Sequence, residues 1–269
     1  MLSIIALACY LAAAVWLAVS AYRSSTHPAR GAWSAGLILG VLAVGVHAAQ
    51  LWFSVLRSSQ LALTAADTAS LVGWTIAVIA LLSTARRPNF AGVSAVLLAL
   101  AGAVAAATNE GSRDFHVASR GWELTAHIIL STLAYALVTV AAALAIALAL
   151  LDRRLRSKRP LGWFSVLPSV EALESGVFQA IGAGFAVLSL ALFSGFVFVD
   201  NFFAQHLIHK AVLSCVAWVV FAVLLFGRWR FGWRGRTALK WVIGGYVLLA
   251  LAYFGSKLVL EVILGRHWG

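Results

Sequence analysis

Charged residues are scarce in this chain, since they make up 11% of its 269 residues while 62% are hydrophobic. A soluble domain carries roughly 25% charged residues, so the chain lacks the polar surface that a water-soluble globule of this size needs. Lipid must therefore surround most of it. The loops between its apolar runs are short, and we predict a single integral membrane domain over residues 1–269 without a separate soluble domain.

Motifs that mark catalytic and redox sites are also missing. The two cysteines, Cys9 and Cys215, lie singly within apolar runs, so there is no CxxC redox pair and no CxxCH haem-attachment motif. The chain also has no HExxH, no GxSxG and no phosphate-binding loop. We therefore expect a binding protein and not an enzyme.

Long apolar runs are what the sequence does contain. A membrane-spanning helix needs ~20 mostly apolar residues, and the chain has about eight such runs separated by turn residues or charges. We predict an all-α polytopic membrane bundle of about eight transmembrane helices. The apolar runs cover residues 2–22, 33–56, 66–85, 90–107, 122–151, 176–199, 210–227 and 238–263.

The distribution of basic residues predicts how these spans are oriented. Of the twenty Lys and Arg residues, fourteen fall in one set of alternate loops and five in the other, and Lys257 lies within the last span. Loops rich in Lys and Arg stay in the cytoplasm, so both termini are predicted to be periplasmic, in a bacterial inner membrane. The net charge of +11 is explained by this topology and by contact with anionic lipid, and we expect no nucleic-acid binding.

The longest predicted cytoplasmic loop covers roughly residues 152–175. It opens with a basic run and continues as Val170-Glu171-Ala172-Leu173-Glu174. This pattern predicts a short interfacial helix that leads into the sixth span.

Two histidines lie within predicted spans, where ionisable side chains are costly and need a reason. His47 lies nine residues before the outer end of the second span, ~13 Å deep at 1.5 Å per residue. His127 lies five residues into the fifth span, ~8 Å deep. Two neutral imidazoles at similar depth suit bis-histidine haem ligation. Alternatively, each histidine is hydrogen-bonded separately to a neighbouring helix.

Several stretches of the chain resemble the cytochrome c assembly protein family of CcsA/HemX type, in particular its short YpjD-like inner-membrane branch. The resemblance is best over residues 120–263, and before that it consists of topology and of VHAAQLW around His47. The stretches that carry it are HIILSTLAYALVTVAAALAIALALLDRRLR at 127–156, KAVLSCVAW at 210–218, GWRGR at 232–236 and LAYFGSKLV at 251–259.

The resemblance implies a protein that handles haem at the outer face of the inner membrane and is linked to cytochrome c biogenesis. It implies His47 and His127 as axial ligands of the iron of haem b, with His116 as a further cofactor-binding residue from an outer loop. The tryptophan-rich segment of the larger relatives is missing between the sixth and seventh spans, where the chain reads DNFFAQHLIH. Presentation of haem to an apocytochrome is therefore not implied.

Three functions compete at this point. The first is a haem-binding accessory protein whose partners are membrane lipid, haem and cytochrome c assembly components. The second is a regulatory or structural subunit of another integral membrane protein, without haem. The third, a small-solute transporter, is disfavoured because the sequence has no inverted repeat, no broken span and no buried charge.

Overall fold

The computed structural model describes residues 2–26, 32–53, 65–107, 122–158, 160–198 and 205–258, and this part of the chain is helical between short turns. It contains eight long helices, each of which coincides with a predicted apolar run, so the predicted all-α bundle is confirmed. The helices are α1 (Leu2–Thr26), α2 (Ala32–Leu51), α3 (Ala65–Arg86), α4 (Ala91–Ala107), α5 (Trp122–Arg156), α6 (Val170–Phe198), α7 (Gln205–Phe231) and α8 (Gly235–Leu258).

The length and composition of these helices fit a bilayer. Within the described residues, α1 to α7 each contain a segment long and apolar enough to cross a membrane. Large apolar side chains are exposed along them, and those of Ile38, Val96, Phe193 and Val219 are each more than half exposed. Lipid tails solvate such surfaces at no cost, whereas water does not. The predicted orientation of the two termini stays a prediction.

Proline and glycine mark two of the helix boundaries. A short 3₁₀ turn, Pro88–Phe90, separates α3 from α4, and proline at its first position suits a helix start. Between α7 and α8, Gly232 and Gly235 adopt positive φ angles of 66° and 54°. Glycine reaches this left-handed region without the steric penalty of a Cβ atom, so the chain can reverse within a few residues.

The loop between α5 and α6 differs from its predicted form. The first residues of the basic run, Arg153 to Arg156, belong to α5, which ends at Arg156. The short helical segment that follows is the 3₁₀ turn Gly162–Val166. Residues 170–174, predicted to form a short interfacial helix that leads into the sixth span, are helical and are the first turns of α6 itself. Only the predicted boundary between this helix and the span was wrong, because periodicity alone does not show where one helix ends and another begins.

The chain forms two compact units that are discontinuous in sequence. The first unit contains residues 1–118 and 146–176, and the second contains residues 119–145 and 177–269. Helices α5 and α6 therefore contribute to both units. The single integral membrane domain predicted from the sequence stays a prediction.

In the first unit, the core is built from small side chains. Helix α1 packs against α2 and α4. Its buried Ala13 and Ala14 belong to the same apolar cluster as Ala43 of α2 and Ala95 of α4. Small residues let helix backbones approach closely, which is the main source of helix association in lipid. This close approach brings polar side chains of α1, α2 and α3 within hydrogen-bonding distance.

In the second unit, α7 packs along α8. Gly245 of α8 lies directly against the ring of the fully buried Phe221 of α7. Near the middle of α6, the indole of Trp218 stacks on Phe185, with 5.2 Å between the ring centroids, and donates its Nε1–H to Ser189 Oγ at 2.8 Å. These contacts fix α6, α7 and α8 relative to one another.

Candidate functional site

His47 lies in the first unit at the junction of three helices. Its Nδ1 atom is 3.1 Å from the hydroxyl of Tyr10 in α1, and its Nε2 atom is 2.8 Å from Oγ of Ser70 in α3. All three residues are buried, and the rings of Tyr10 and His47 meet edge to face with their centroids 5.7 Å apart. A hydrogen-bonded chain therefore runs from α1 through α2 to α3.

Both ring nitrogens of His47 are engaged in this chain. A neutral imidazole has one donor and one acceptor nitrogen, and the two hydroxyls satisfy both. Either nitrogen would have to give up a hydroxyl partner before it could bind a metal ion. As described, the arrangement matches the alternative in which this histidine is held by neighbouring helices.

His127 lies in the second unit and has a different environment. Its Nδ1 atom is 2.9 Å from Oγ of Ser194 in α6, while its Nε2 atom is 3.4 Å from Oγ of Ser131, one turn further along α5. The imidazole is partly exposed. The two contacts are unequal, because 3.4 Å is beyond the usual length of a hydrogen bond to nitrogen or oxygen.

The hydroxyl of Ser194 determines which nitrogen of His127 carries the proton. This hydroxyl donates to the carbonyl oxygen of Ala191 at 2.8 Å. A serine hydroxyl has one proton, so towards His127 it acts as an acceptor and Nδ1 must be the donor. The lone pair of the neutral ring then lies on Nε2, whose one polar contact within the described residues is the long one to Ser131.

This arrangement is the one that metal-binding histidines use. Such histidines almost always donate their second ring N–H to an oxygen of the protein, which fixes the tautomer and raises the basicity of the ligating nitrogen. In this tautomer the lone pair of His127 lies on Nε2, and Ser194 holds the other ring nitrogen. Sequence reasoning missed Ser194, because it lies 67 residues from His127 and a serine in an apolar run carries no signal of its own.

The remaining predicted site residue, His116, and two further histidines in the DNFFAQHLIH stretch lie outside what the structure describes. His116 falls in residues 108–121, and the side chains of His206 and His209 are likewise outside the described residues. Within the described residues, no group of three or more His, Cys, Asp or Glu side chains could hold a metal ion. That result concerns metal ions bound by side chains alone, and the assignment of His47, His127 and His116 to haem stays a prediction.

Comparison with known proteins decides the family. The profile of the cytochrome C assembly protein family matches residues 3–264. The chain belongs to this family. The predicted resemblance is thereby confirmed, and the match extends well beyond the region from residue 120 on which it mainly rested.

Several curated proteins match parts of the chain. Inner membrane protein YpjD of Escherichia coli is 40% identical over 137 residues, 51% of this chain and 52% of that protein. An uncharacterised 28.8 kDa protein of Azospirillum brasilense is 39% identical over 141 residues, 52% of each chain. Cytochrome c biogenesis protein CcsA of Microcystis aeruginosa is 26% identical over 104 residues, 38% of this chain and 32% of that protein.

The matched part of the chain thus spans about half the length of the first two of these relatives. No solved structure matches the chain. The apolar helices, the family and the inner-membrane relative together confirm the predicted location as a multi-pass protein of the bacterial inner membrane. Family membership links the chain to cytochrome c biogenesis.

Proposed function

We propose that this member of the cytochrome C assembly protein family is a haem-handling accessory protein in which His127 is an axial ligand of haem b. The observation that carries the proposal is the tautomer of His127, whose Nδ1–H is held by Ser194 and whose Nε2 lone pair is directed away from it. Imidazole nitrogen is a common axial ligand of haem iron. The residues present at His127 therefore fit the cofactor.

The chain's own residues perform the binding work in this proposal. Ser194 holds the imidazole in one orientation through its contact with Nδ1. Haem would supply redox chemistry or would itself be the cargo. The family and the names of its CcsA relatives support a place in cytochrome c biogenesis, and we propose assembly components of that process as partners. The proposed role is one of haem binding, and not of catalysis.

His47 and His116 remain the proposed further ligands. Since His47 is fully buried between two hydroxyls, it would have to release Tyr10 or Ser70 in order to reach iron. His127 needs only to give up the long contact to Ser131. We therefore expect His127 to be the more important ligand of the two membrane histidines.

An absorption spectrum of the protein purified in detergent, with and without added haem, tests the proposal. The wild type should show a b-type spectrum of low-spin, bis-histidine form. His127→Ala should lose most of the haem, and His47→Ala should lose it too if that histidine is the second ligand. Ser83→Ala is a matched control, because this hydroxyl bonds only to the carbonyl of Ile79 in its own helix. A wild type that takes up no haem, or a His127→Ala variant with full haem content, would contradict the proposal.

A second candidate function is a regulatory or structural subunit of another integral membrane protein, without haem. It is favoured by the hydrogen-bonded chain through His47, since a fully buried histidine with both nitrogens satisfied is a packing element. This function predicts that an integral partner co-purifies with the chain, and that neither histidine variant changes the yield of the complex.

A further inference from the structure

The turn between α7 and α8 carries a concentration of positive charge that its own helices do not neutralise. Five basic residues fall within residues 228–240, and no acidic residue occurs anywhere between residues 201 and 260. Four of the five, Arg230, Arg234, Arg236 and Lys240, are exposed. No carboxylate of the described residues pairs with Arg230, Arg236 or Lys240. By contrast, Arg156 at the end of α5 is paired with Asp152 at 2.9 Å.

Exposed aromatic side chains stand beside these charges. Trp229 is 81% exposed and Phe231 is 65% exposed. The guanidinium of Arg230 lies over the Phe231 ring, 5.9 Å from its centroid. Aromatic side chains next to arginine and lysine are typical of the depth at which lipid headgroups meet the hydrocarbon. The membrane-spanning segment of α7 ends at Phe231, which places the turn at that depth.

The turn is held in one conformation by its own contacts. The backbone N–H groups of Gly232 and Trp233 donate to the carbonyls of Arg228 and Gly227, at 3.1 and 3.3 Å. The guanidinium of Arg228 donates to the carbonyl oxygen of Trp233 at 3.2 Å. The Trp233 ring packs on Gly227 and stacks on Trp241, with 5.6 Å between the centroids. The backbone that carries the exposed basic residues is therefore held in place, so that binding an anion needs to order only their side chains.

We propose that the α7–α8 turn is a binding site for the headgroup of an anionic phospholipid. Arg230, Arg236 and Lys240 contact the phosphate groups, and Trp229 and Phe231 lie at the boundary with the acyl chains. Charge complementarity selects an anionic headgroup, and the position of the turn at the end of a span selects lipid over a soluble anion. The site is independent of whether the chain binds haem.

Native mass spectrometry of the delipidated full-length protein, titrated with phosphatidylglycerol and separately with phosphatidylcholine, tests this inference. The wild type should retain phosphatidylglycerol in preference to phosphatidylcholine, and less of it as salt is raised. The triple variant R230Q/R236Q/K240Q should bind phosphatidylglycerol at least about tenfold more weakly, since each basic residue near an anionic surface contributes appreciably.

Two further variants test whether a loss of lipid binding reflects a defined site, a general loss of positive charge or misfolding. R86Q/R87Q/R153Q removes the same charge from exposed positions elsewhere and should leave binding within about threefold of wild type. R230K/R236K keeps the charge and should retain most of the binding. Equal loss in both triple variants, or no loss in R230Q/R236Q/K240Q, would overturn the proposal. So would a protein partner that stays bound to the turn after all lipid has been exchanged for phosphatidylcholine.

Discussion

Gly92, in the first turn of α4, lies directly against the carbonyl group of Val166 in the segment between α5 and α6. A Cβ atom at position 92 would overlap that carbonyl, which is backbone and cannot rotate away. The same segment also contacts α1, where the rings of Trp163 and Tyr22 lie 5.3 Å apart between centroids. The α5–α6 segment therefore packs against α1 and α4 within the first unit.

Replacing Gly92 by alanine should loosen this segment. The overlap forces the chain around Val166 to shift, at a cost of about 1–3 kcal/mol, and limited proteolysis with trypsin should then cut near Lys158 faster than in wild type. Gly73→Ala is the control, since a Cβ there would meet Val104 at an ordinary 3.5 Å. Equal cleavage rates in wild type and Gly92→Ala would show that the contact does not hold the segment.

The hydrogen-bonded chain around His47 should contribute to stability. Tyr10→Phe and Ser70→Ala each leave one imidazole nitrogen without its partner, and we expect each to lower the free energy of unfolding by about 0.5–1.5 kcal/mol, as for hydrogen bonds between membrane helices. Unfolding in a titration with sodium dodecyl sulfate measures this. Because both bonds involve the same ring, the effects in the double variant should not be additive. Additive effects, or losses of unfolding free energy no larger than that of Ser83→Ala, would show that the hydrogen bonds around His47 do not act as a unit.

Adjacent glycines of α8 give a matched pair of variants. A Cβ on Gly245 would collide with the ring of Phe221, which is fully buried and has no room to move, whereas a Cβ on Gly244 would meet no atom within 4 Å. Gly245→Ala should cost about 1–3 kcal/mol of unfolding free energy. Gly244→Ala should cost nothing, because alanine favours helix more than glycine does. The same detergent titration compares them, and equal stability of the two variants would refute the described packing of α7 on α8.

Ser194 should act on haem binding through His127. Ser194→Ala removes the acceptor of the Nδ1–H and should weaken haem binding about 10- to 100-fold, the usual effect of losing such a partner. Ser194→Thr keeps the hydroxyl and should retain the affinity. ¹⁵N NMR of the histidine in the haem-free protein provides an independent readout. It should find the Nδ1-protonated tautomer in wild type and a mixture of the Nδ1 and Nε2 tautomers in Ser194→Ala. A proton on Nε2 in wild type would refute the positioning role even if haem binds.

Much of the fold could be predicted because a bilayer imposes simple rules. Each apolar run had to be long enough to cross the membrane, and each of the eight runs corresponds to a helix in the described part of the chain. The error at Val170–Glu174 arose at a boundary, where the pattern continues smoothly from the surface into the span. The division into two units had no counterpart in the sequence, because it depends on which helices pack together.

The candidate site could be predicted only in part. Histidines within apolar runs stand out by their cost, and His47 and His127 were found for that reason. Their partners were not, because Tyr10, Ser70 and Ser194 are ordinary residues in membrane helices and become meaningful only through helix packing. The hydrogen bonds also distinguish the two histidines. Both ring nitrogens of His47 have close hydroxyl partners, whereas Nε2 of His127 has only a long contact of 3.4 Å among the described residues.

The discontinuity of the first unit has a consequence for biosynthesis. Helices α1 to α4 leave the ribosome first, yet the segment that covers Gly92 belongs to residues 146–176. Until those residues have been translated, α1 to α4 can enter the lipid but their unit lacks a structural part. Completion of the first unit therefore waits until the ribosome has passed residue 176, and separate expression of residues 1–118 should yield an unfinished assembly.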